Sequence, residues 1–182
     1  MAEQFQSIEK KHHEFIERQQ MFFVSTAATE GRVNLSPKGM DSFRVLSENR
    51  IAWLNLTGSG NETAAHLLDS NRMTIMFCSF DKQPLILRLY GQARTIHENH
   101  PEWDSFCDLF PSSTGARQVY DMTVEMVQTS CGFAVPRYEF SEQRPTLERW
   151  ADKQSREEIR GYWDKKNRVS LDGQPTGIDE LL

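Results

Sequence analysis

The sequence is short of the features that mark membrane, secreted or nucleic-acid-binding proteins. No stretch reaches the roughly 18 consecutive apolar residues that a membrane-spanning helix needs. The opening residues MAEQFQSIEKKHHEF lack the apolar centre of a secretory signal. Cysteine is scarce and odd in number: Cys78, Cys107 and Cys131 lie far apart and form neither a disulfide framework nor a CxxC metal motif. Reduced thiols in a cytoplasmic protein without a membrane partner are the expectation, with Cys131 a buried thiol lacking a neighbouring base. Basic charge is also lacking, since 21 Lys and Arg face 26 Asp and Glu, for a formal net charge of −5. Neutralising a nucleic-acid backbone needs a basic excess, so no nucleic acid is expected, although a single small phosphate can still find a local basic pocket. The five histidines fall in no HExxH or Cys/His spacing, and no metal site is expected.

What the sequence does contain is material for one substantial core. Its 182 residues are 38% hydrophobic and include eleven Phe and four Trp, so a packed interior needs no disulfide or metal. There is no internal repeat or low-complexity stretch, and residues 1–182 read as a single domain, with a core over about 21–140 and a C-terminal helix and tail over 141–182. Phe5, Ile8, His12, Phe15 and Ile16 recur at helical spacing and predict an amphipathic helix over 3–20. Short β-rich runs follow. Met21–Ala28 and Arg32–Ser36 flank Glu30-Gly31 as a hairpin, with Pro37 and Gly39 ending the second strand. Further strands are predicted at Phe43–Leu46, Ile51–Leu56, Met73–Phe80, Leu85–His97 and Gln118–Thr129, with Gly91 as a bulge or bend. Helices are predicted at Glu62–Ser70, Glu102–Phe110 and roughly Pro145–Lys166. Six or more strands joined mostly by tight turns favour an antiparallel sheet closed into a barrel.

Three segments carry candidate chemistry. In Asn55-Leu56-Thr57-Gly58-Ser59-Gly60-Asn61-Glu62-Thr63 the chain leaves a strand, crosses two glycines and enters a helix. Unpaired N–H groups and partial positive charge at a helix start attract phosphate, and glycines permit close approach. The competing reading is a helix capped by Ser59 or Asn61, with Glu62 complementing the dipole. The loop is neither a Walker loop nor a dinucleotide fingerprint. In Asn34-Leu35-Ser36-Pro37-Lys38-Gly39, Lys38 is either an exposed turn lysine or an ammonium aimed at a phosphate or cofactor ring. In Leu87-Arg88-Leu89, the arginine faces either solvent or a polar cavity. Glu98, Glu102, Asp104 and Asp108 read as a solvated face.

Taken in chain order, strand, S-P-K-G, strand, N-L-T-G-S-G-N-E-T, helix, buried strand and I-L-R-L-Y-G resemble the FMN-binding split-barrel family related to pyridoxamine phosphate oxidase. The resemblance runs from about Met21 to Phe140. In one branch it extends through Gln128-Thr129-Ser130-Cys131-Gly132, Val135-Pro136, Arg144 with Leu147 and Trp150, and Lys166-Asn167 leading to Ser170, Asp172-Gly173 and Pro175. It implies an α+β fold, mainly β: an antiparallel split barrel flanked by N- and C-terminal helices, forming a homodimer with two FMN sites at its interface. Ser36 and Lys38 would then belong to the cofactor site, Lys38 reaching the flavin or its phosphate. Asn55 and Thr57 would line the isoalloxazine edge, and Ser59, Asn61 and Thr63 would serve the phosphate and ribityl chain. Arg88 would come from a neighbouring strand, and Arg144 and Trp150 from the other subunit. Departures from the oxidase are specific. Glu62-Thr63 stands where that enzyme has an Arg-Lys pair, RPTLERWADK lacks its R-L-H-D-R motif, and Ser141 replaces a tryptophan. The expectation is therefore an FMN-dependent oxidoreductase with an unassigned small-molecule substrate or electron donor. The alternatives are a flavin-binding carrier or sensor without turnover, or a split barrel holding haem or a deazaflavin.

Overall fold

In the computed structural model, which describes residues 2–182, eight strands form one antiparallel sheet that curls on itself. In chain order the elements are β1 (Glu3–Phe5), α1 (Lys10–Glu17), β2 (Met21–Thr26), β3 (Asn34–Gly39), β4 (Phe43–Ser47), β5 (Arg50–Leu56), α2 (Glu62–Asp69), β6 (Arg72–Cys78), β7 (Ile86–Ile96), α3 (Trp103–Cys107) and β8 (Ala116–Ser130). They are followed by α4 (Thr146–Ala151), α5 (Arg156–Lys166) and a 3₁₀ turn at Ile178–Leu181. The main sheet runs β3-β2-β6-β7-β8-β5-β4, with β1 added on β8. This is the antiparallel split barrel with flanking helices that the resemblance implied.

Alternation in the strands explains the curl. Phe22 and Val24 of β2, Ile75 and Phe77 of β6, Leu87 and Leu89 of β7 and Trp53 of β5 all point inward and are buried. Phe43 of β4 meets Phe22 at 5.0 Å and Phe77 at 5.1 Å between ring centroids, which brings β4 round to face β2. Each such side chain contributes roughly 1.5–3 kcal/mol through burial. The long β7–β8 ladder bends where its register shifts between Tyr90 and Gly91. A Cβ at Gly91 would stand 1.9 Å from the Thr123 carbonyl oxygen, so only glycine fits this bulge.

The structure corrects several sequence expectations. Residues 3–20 do not form one helix: Glu3–Phe5 pair with β8, and α1 starts only at Lys10. Both pieces bury their apolar residues against the same core, and that shared contact produced the helical spacing. His12 is a buried structural residue whose Nδ1 accepts from the Glu9 N–H at 3.1 Å, starting α1. Pro37 does not end its strand. β3 is an edge of the main sheet, where proline's missing N–H deprives no neighbour, and it continues to Gly39. The long C-terminal helix is two helices, divided by a capping box: the Ser155 hydroxyl accepts from the Glu158 N–H at 3.2 Å, and the Glu158 carboxylate accepts from the Ser155 N–H at 2.7 Å. Cys131 is exposed, because it lies just beyond the end of β8. Glu98 is no solvated bystander, since it binds Arg156 at 2.6 Å and Arg160 at 3.0 Å and ties α5 to the barrel.

Candidate functional site

The two ends of the main sheet, β3 and β4, do not pair, and Lys38 of β3 reaches over Trp53 of β5. Lys38 sits opposite Phe22 in the β2–β3 ladder, so its side chain turns to the concave face together with those of Asn34 and Ser36. Its Nζ lies 5.5 Å from the Trp53 ring centroid. Trp53 in turn stacks on Tyr120 at 4.5 Å. The Tyr120 hydroxyl and the Asn55 amide both donate to Gln118 Oε1, at 3.2 and 3.0 Å. That leaves Gln118 Nε2 and Trp53 Nε1 as buried donors without a partner. Lys38 Nζ likewise has no hydrogen bond or ion pair among the described residues. Burial, with a smaller contribution from the Arg117 charge, pushes the Lys38 ammonium down to about 8.

Arg117 is the buried cation beside the candidate site that sequence reading misses. A bulge between Asn55 and Leu56 in the β5–β8 ladder turns it under the loop that leads into α2. It is almost completely buried. Its guanidinium donates to Asn167 Oδ1 at 2.7 Å, to the Gly60 carbonyl at 3.0 Å and to the Gly58 carbonyl at 3.3 Å. No carboxylate pairs with it among the described residues. Burial pushes it down to about 10, still cationic at neutral pH. The available signal was an arginine at the mouth of an alternating strand, but the strand was expected to begin at Gln118.

The C-terminal residues then strap this loop down. Trp163 Nε1 donates to the Thr57 hydroxyl at 2.9 Å, and that hydroxyl donates to the Gly115 carbonyl at 3.0 Å. Asn167 Nδ2 donates to the Gly58 carbonyl at 3.0 Å, and Asn61 Nδ2 donates to the Asn167 carbonyl at 3.5 Å. The Leu171 N–H donates to the Glu62 carboxylate at 3.0 and 3.1 Å.

These contacts sort the expected site residues. Ser36, Lys38 and Asn55 share the seam. Thr63 is also close, its hydroxyl accepting from the Asn34 amide at 3.2 Å. Thr57 and Asn61 are buried and hold the strap, while Ser59 is exposed. Neither Ser59 nor Asn61 caps α2, whose first residue Glu62 is drawn to Leu171. Arg88 is on the opposite face of the sheet, donating to the Ser130 hydroxyl at 3.2 Å. Arg144 lines a cleft of about 760 Å³ together with Arg18, Met40, Phe80, Tyr138 and the end of β3 at Lys38. Trp150 packs edge-on against Tyr162 at 5.4 Å, between α4 and α5.

The arrangement fits an electron-rich planar ring better than a side-chain phosphate cradle. Lys38 offers an unpartnered donor that suits ring carbonyls and nitrogens, whereas the unpartnered donors of Trp53 and Gln118 are sealed in the core. The loop side chains are largely taken by the strap, and a Cβ at Gly60 would lie 3.4 Å from a Glu62 carboxylate oxygen. Backbone donors remain. With trans peptides and the Gly58 and Gly60 carbonyls turned to Arg117, the N–H groups of Ser59 and Asn61 point the other way.

Residues 8–131 match the family model for pyridoxamine 5'-phosphate oxidase. The pyridoxamine 5'-phosphate oxidase family protein ustO of Aspergillus flavus is 37% identical over 189 residues, covering 94% of this chain and 76% of that protein. Among solved structures, a HupZ variant from Group A Streptococcus has a TM-score of 0.55 at 19% identity, covering 68% of this chain and 99% of its own. A Lactobacillus delbrueckii protein of the pyridoxamine 5'-phosphate oxidase type has a TM-score of 0.53 at 17% identity, covering 68% of this chain and 94% of its own. At such identities the structures bear on the fold alone.

Proposed function

Because the chain belongs to the pyridoxamine 5'-phosphate oxidase family, we propose that it binds FMN against the barrel seam and is a flavin-dependent oxidoreductase. The observation that carries this reading is the unpartnered Lys38, set over Trp53 on the concave face at the open edge of the sheet. Lys38, Ser36 and Asn55 would orient the ring. The phosphate would lie on backbone donors at the start of α2, opposite the carbonyls gripped by Arg117. Bound flavin supplies the redox chemistry, and the protein's part is to hold, orient and tune it. The cleft lined by Phe80, Tyr138 and Arg144 reaches Lys38 and gives a small-molecule substrate a route to the ring. A second copy of the chain would close the site from outside.

The test is an absorption titration of the purified protein with FMN, with Lys38→Ala alongside. A perturbed flavin band with saturable binding, weakened about tenfold or more in the variant, is expected, since a hydrogen bond to a charged group contributes about 1.5–3 kcal/mol. No uptake of FMN at any concentration would overturn the reading. Reduction of bound FMN by a nicotinamide nucleotide, then reoxidation by an acceptor, separates an enzyme from a carrier.

A further inference from the structure

One wall of the cleft beside Lys38 is made by residues 138–144, and this stretch is fastened at both ends. At one end the Tyr138 N–H donates to the Phe80 carbonyl at 3.0 Å, and the two rings meet at 5.6 Å between centroids. At the other, Gln143 Oε1 accepts from the Met40 N–H at 3.1 Å and its amide donates to the Gln20 carbonyl at 2.9 Å. A Cβ at Gly39 would stand 3.1 Å from that Oε1, so the chains meet closely there. Pinning Gln143 sets its neighbours Glu142 and Arg144 at the Lys38 end, while the aromatic pair stands at the Phe80 end. The cleft lined by both ends holds about 760 Å³, enough for a small organic molecule.

The charges that line it balance, with Arg18, Lys38 and Arg144 against Asp81, Glu139 and Glu142. None of them forms an ion pair among the described residues, whereas Arg44 and Asp41 close by do pair. Asp81 is engaged locally, its Oδ1 accepting from the Ser79 hydroxyl at 2.8 Å and the Gln83 N–H at 2.7 Å. Lys38 feels no carboxylate, since burial and the Arg117 charge alone account for its depressed ammonium. The aromatic wall is uncovered: Tyr138 keeps 68% of its surface exposed and Phe140 55%. Unpaired charges of both signs at one end and an open aromatic wall at the other match a molecule divided in the same way.

Resting on the reading that this cleft admits the substrate, we propose that it takes a free aromatic α-amino acid. The carboxylate faces Lys38 and Arg144, the ammonium faces Glu142, and the side-chain ring lies on Tyr138 and Phe80. A guanidinium suits a carboxylate through paired N–H donors, and aromatic rings attract in offset or edge-on contact. Lys38 has three N–H donors, so it serves both the carboxylate and a ring carbonyl of bound flavin.

The experiment is calorimetric titration of the FMN-saturated protein, and of the protein without FMN, with L-phenylalanine, 3-phenylpropionate and phenethylamine. L-Phenylalanine is expected to saturate a single site. Each analogue, lacking the ammonium or the carboxylate, is expected to bind about fivefold more weakly, as suits an exposed charge pair. Arg144→Gln is expected to weaken L-phenylalanine and 3-phenylpropionate but not phenethylamine. Glu142→Gln is expected to weaken L-phenylalanine and phenethylamine but not 3-phenylpropionate. Tyr138→Ala is expected to weaken all three about fivefold or more. No saturable binding of L-phenylalanine overturns the proposal, as do equal affinities for the three ligands or variants that fail to sort them by charge. FMN uptake without L-phenylalanine binding removes this proposal and leaves the flavin reading. L-Phenylalanine binding without FMN uptake removes the flavin reading and leaves the cleft as an amino-acid site.

Discussion

At Lys38 the proton is coupled to the ligand. The ammonium is held down to about 8 by burial and by Arg117, so it is charged at neutral pH and begins to lose its proton just above. A ring carbonyl or nitrogen that accepts from the ammonium favours its charged form and raises it. FMN binding near pH 8.5 is therefore expected to take up a fraction of a proton, and near pH 6.5 none at this residue. Calorimetry in two buffers of different ionisation enthalpy measures this uptake, and equal apparent enthalpies at pH 8.5 would show that Lys38 does not feel the ligand. The stability effect has a definite sign. A lysine whose folded value is depressed costs the folded state below about 8, and that cost is relieved as pH rises towards the unfolded value. Lys38→Met is accordingly expected to raise apo-protein stability at pH 7 by about 1–2 kcal/mol after discounting its partial exposure, while weakening FMN. Asp121 behaves oppositely. Burial resists its ionisation, but hydrogen bonds from Arg50 at 2.8 Å and Arg94 at 2.9 Å outweigh this and hold its carboxyl below the usual range. Its stabilisation is full above the ordinary carboxylate value and is lost as pH falls through the lower folded one. Asp121→Asn is expected to lower the urea midpoint at pH 7 and to matter much less near pH 2.

At the scale of elements, strands were more legible than their irregularities. Period-two alternation identified most of the strands that build the core, and Gly91 declared its bulge because no side chain fits there. The strap was not legible as a contact, because nothing local relates Asn167 to Gly58 or Trp163 to Thr57 across more than a hundred residues. The left-handed backbone at Met40, φ 64°, was equally hidden, since sequence would place glycine there. Gln143 explains how that corner is pinned, its carbonyl oxygen accepting from the Met40 N–H at 3.1 Å and its amide donating to the Gln20 carbonyl at 2.9 Å. The lysine in S-P-K-G could be read as a cofactor group, yet what makes it so is the neighbourhood: an edge strand, a concave face and no acid nearby. Asn167 tests the strap. Its removal deprives a buried guanidinium and the Gly58 carbonyl of partners together, so Asn167→Ala is expected to cost about 2–3 kcal/mol in urea unfolding. Trp163→Phe, which removes the N–H to Thr57 but keeps most of the ring, is expected to cost about 1–2 kcal/mol. A cost near zero for both would mean that the strap only rests on the loop.

At the scale of the whole molecule, the region that matches the family model and the region that straps the loop are different stretches of chain, although the Aspergillus flavus relative aligns over 94% of the chain. The match ends at residue 131, whereas the partners of Arg117, Thr57 and Glu62 lie between Trp163 and Leu171. The same C-terminal stretch builds its own small core from Ile159, Trp163, Ile178 and Leu181, with Trp150 and Tyr162 against it. A chain cut after residue 144 would leave a buried arginine with only loop carbonyls and uncover the loop that enters α2. A buried cation stripped of a partner is among the costlier defects in a protein interior, at about 3 kcal/mol or more. The shortened chain is expected to keep its β-sheet signal in far-ultraviolet circular dichroism, to lose near-ultraviolet aromatic structure and cooperative unfolding, and to take up no FMN. If it instead unfolds cooperatively at the wild-type midpoint and binds FMN unchanged, residues 145–182 are a separate addition to the barrel, and the loop holds its shape without them.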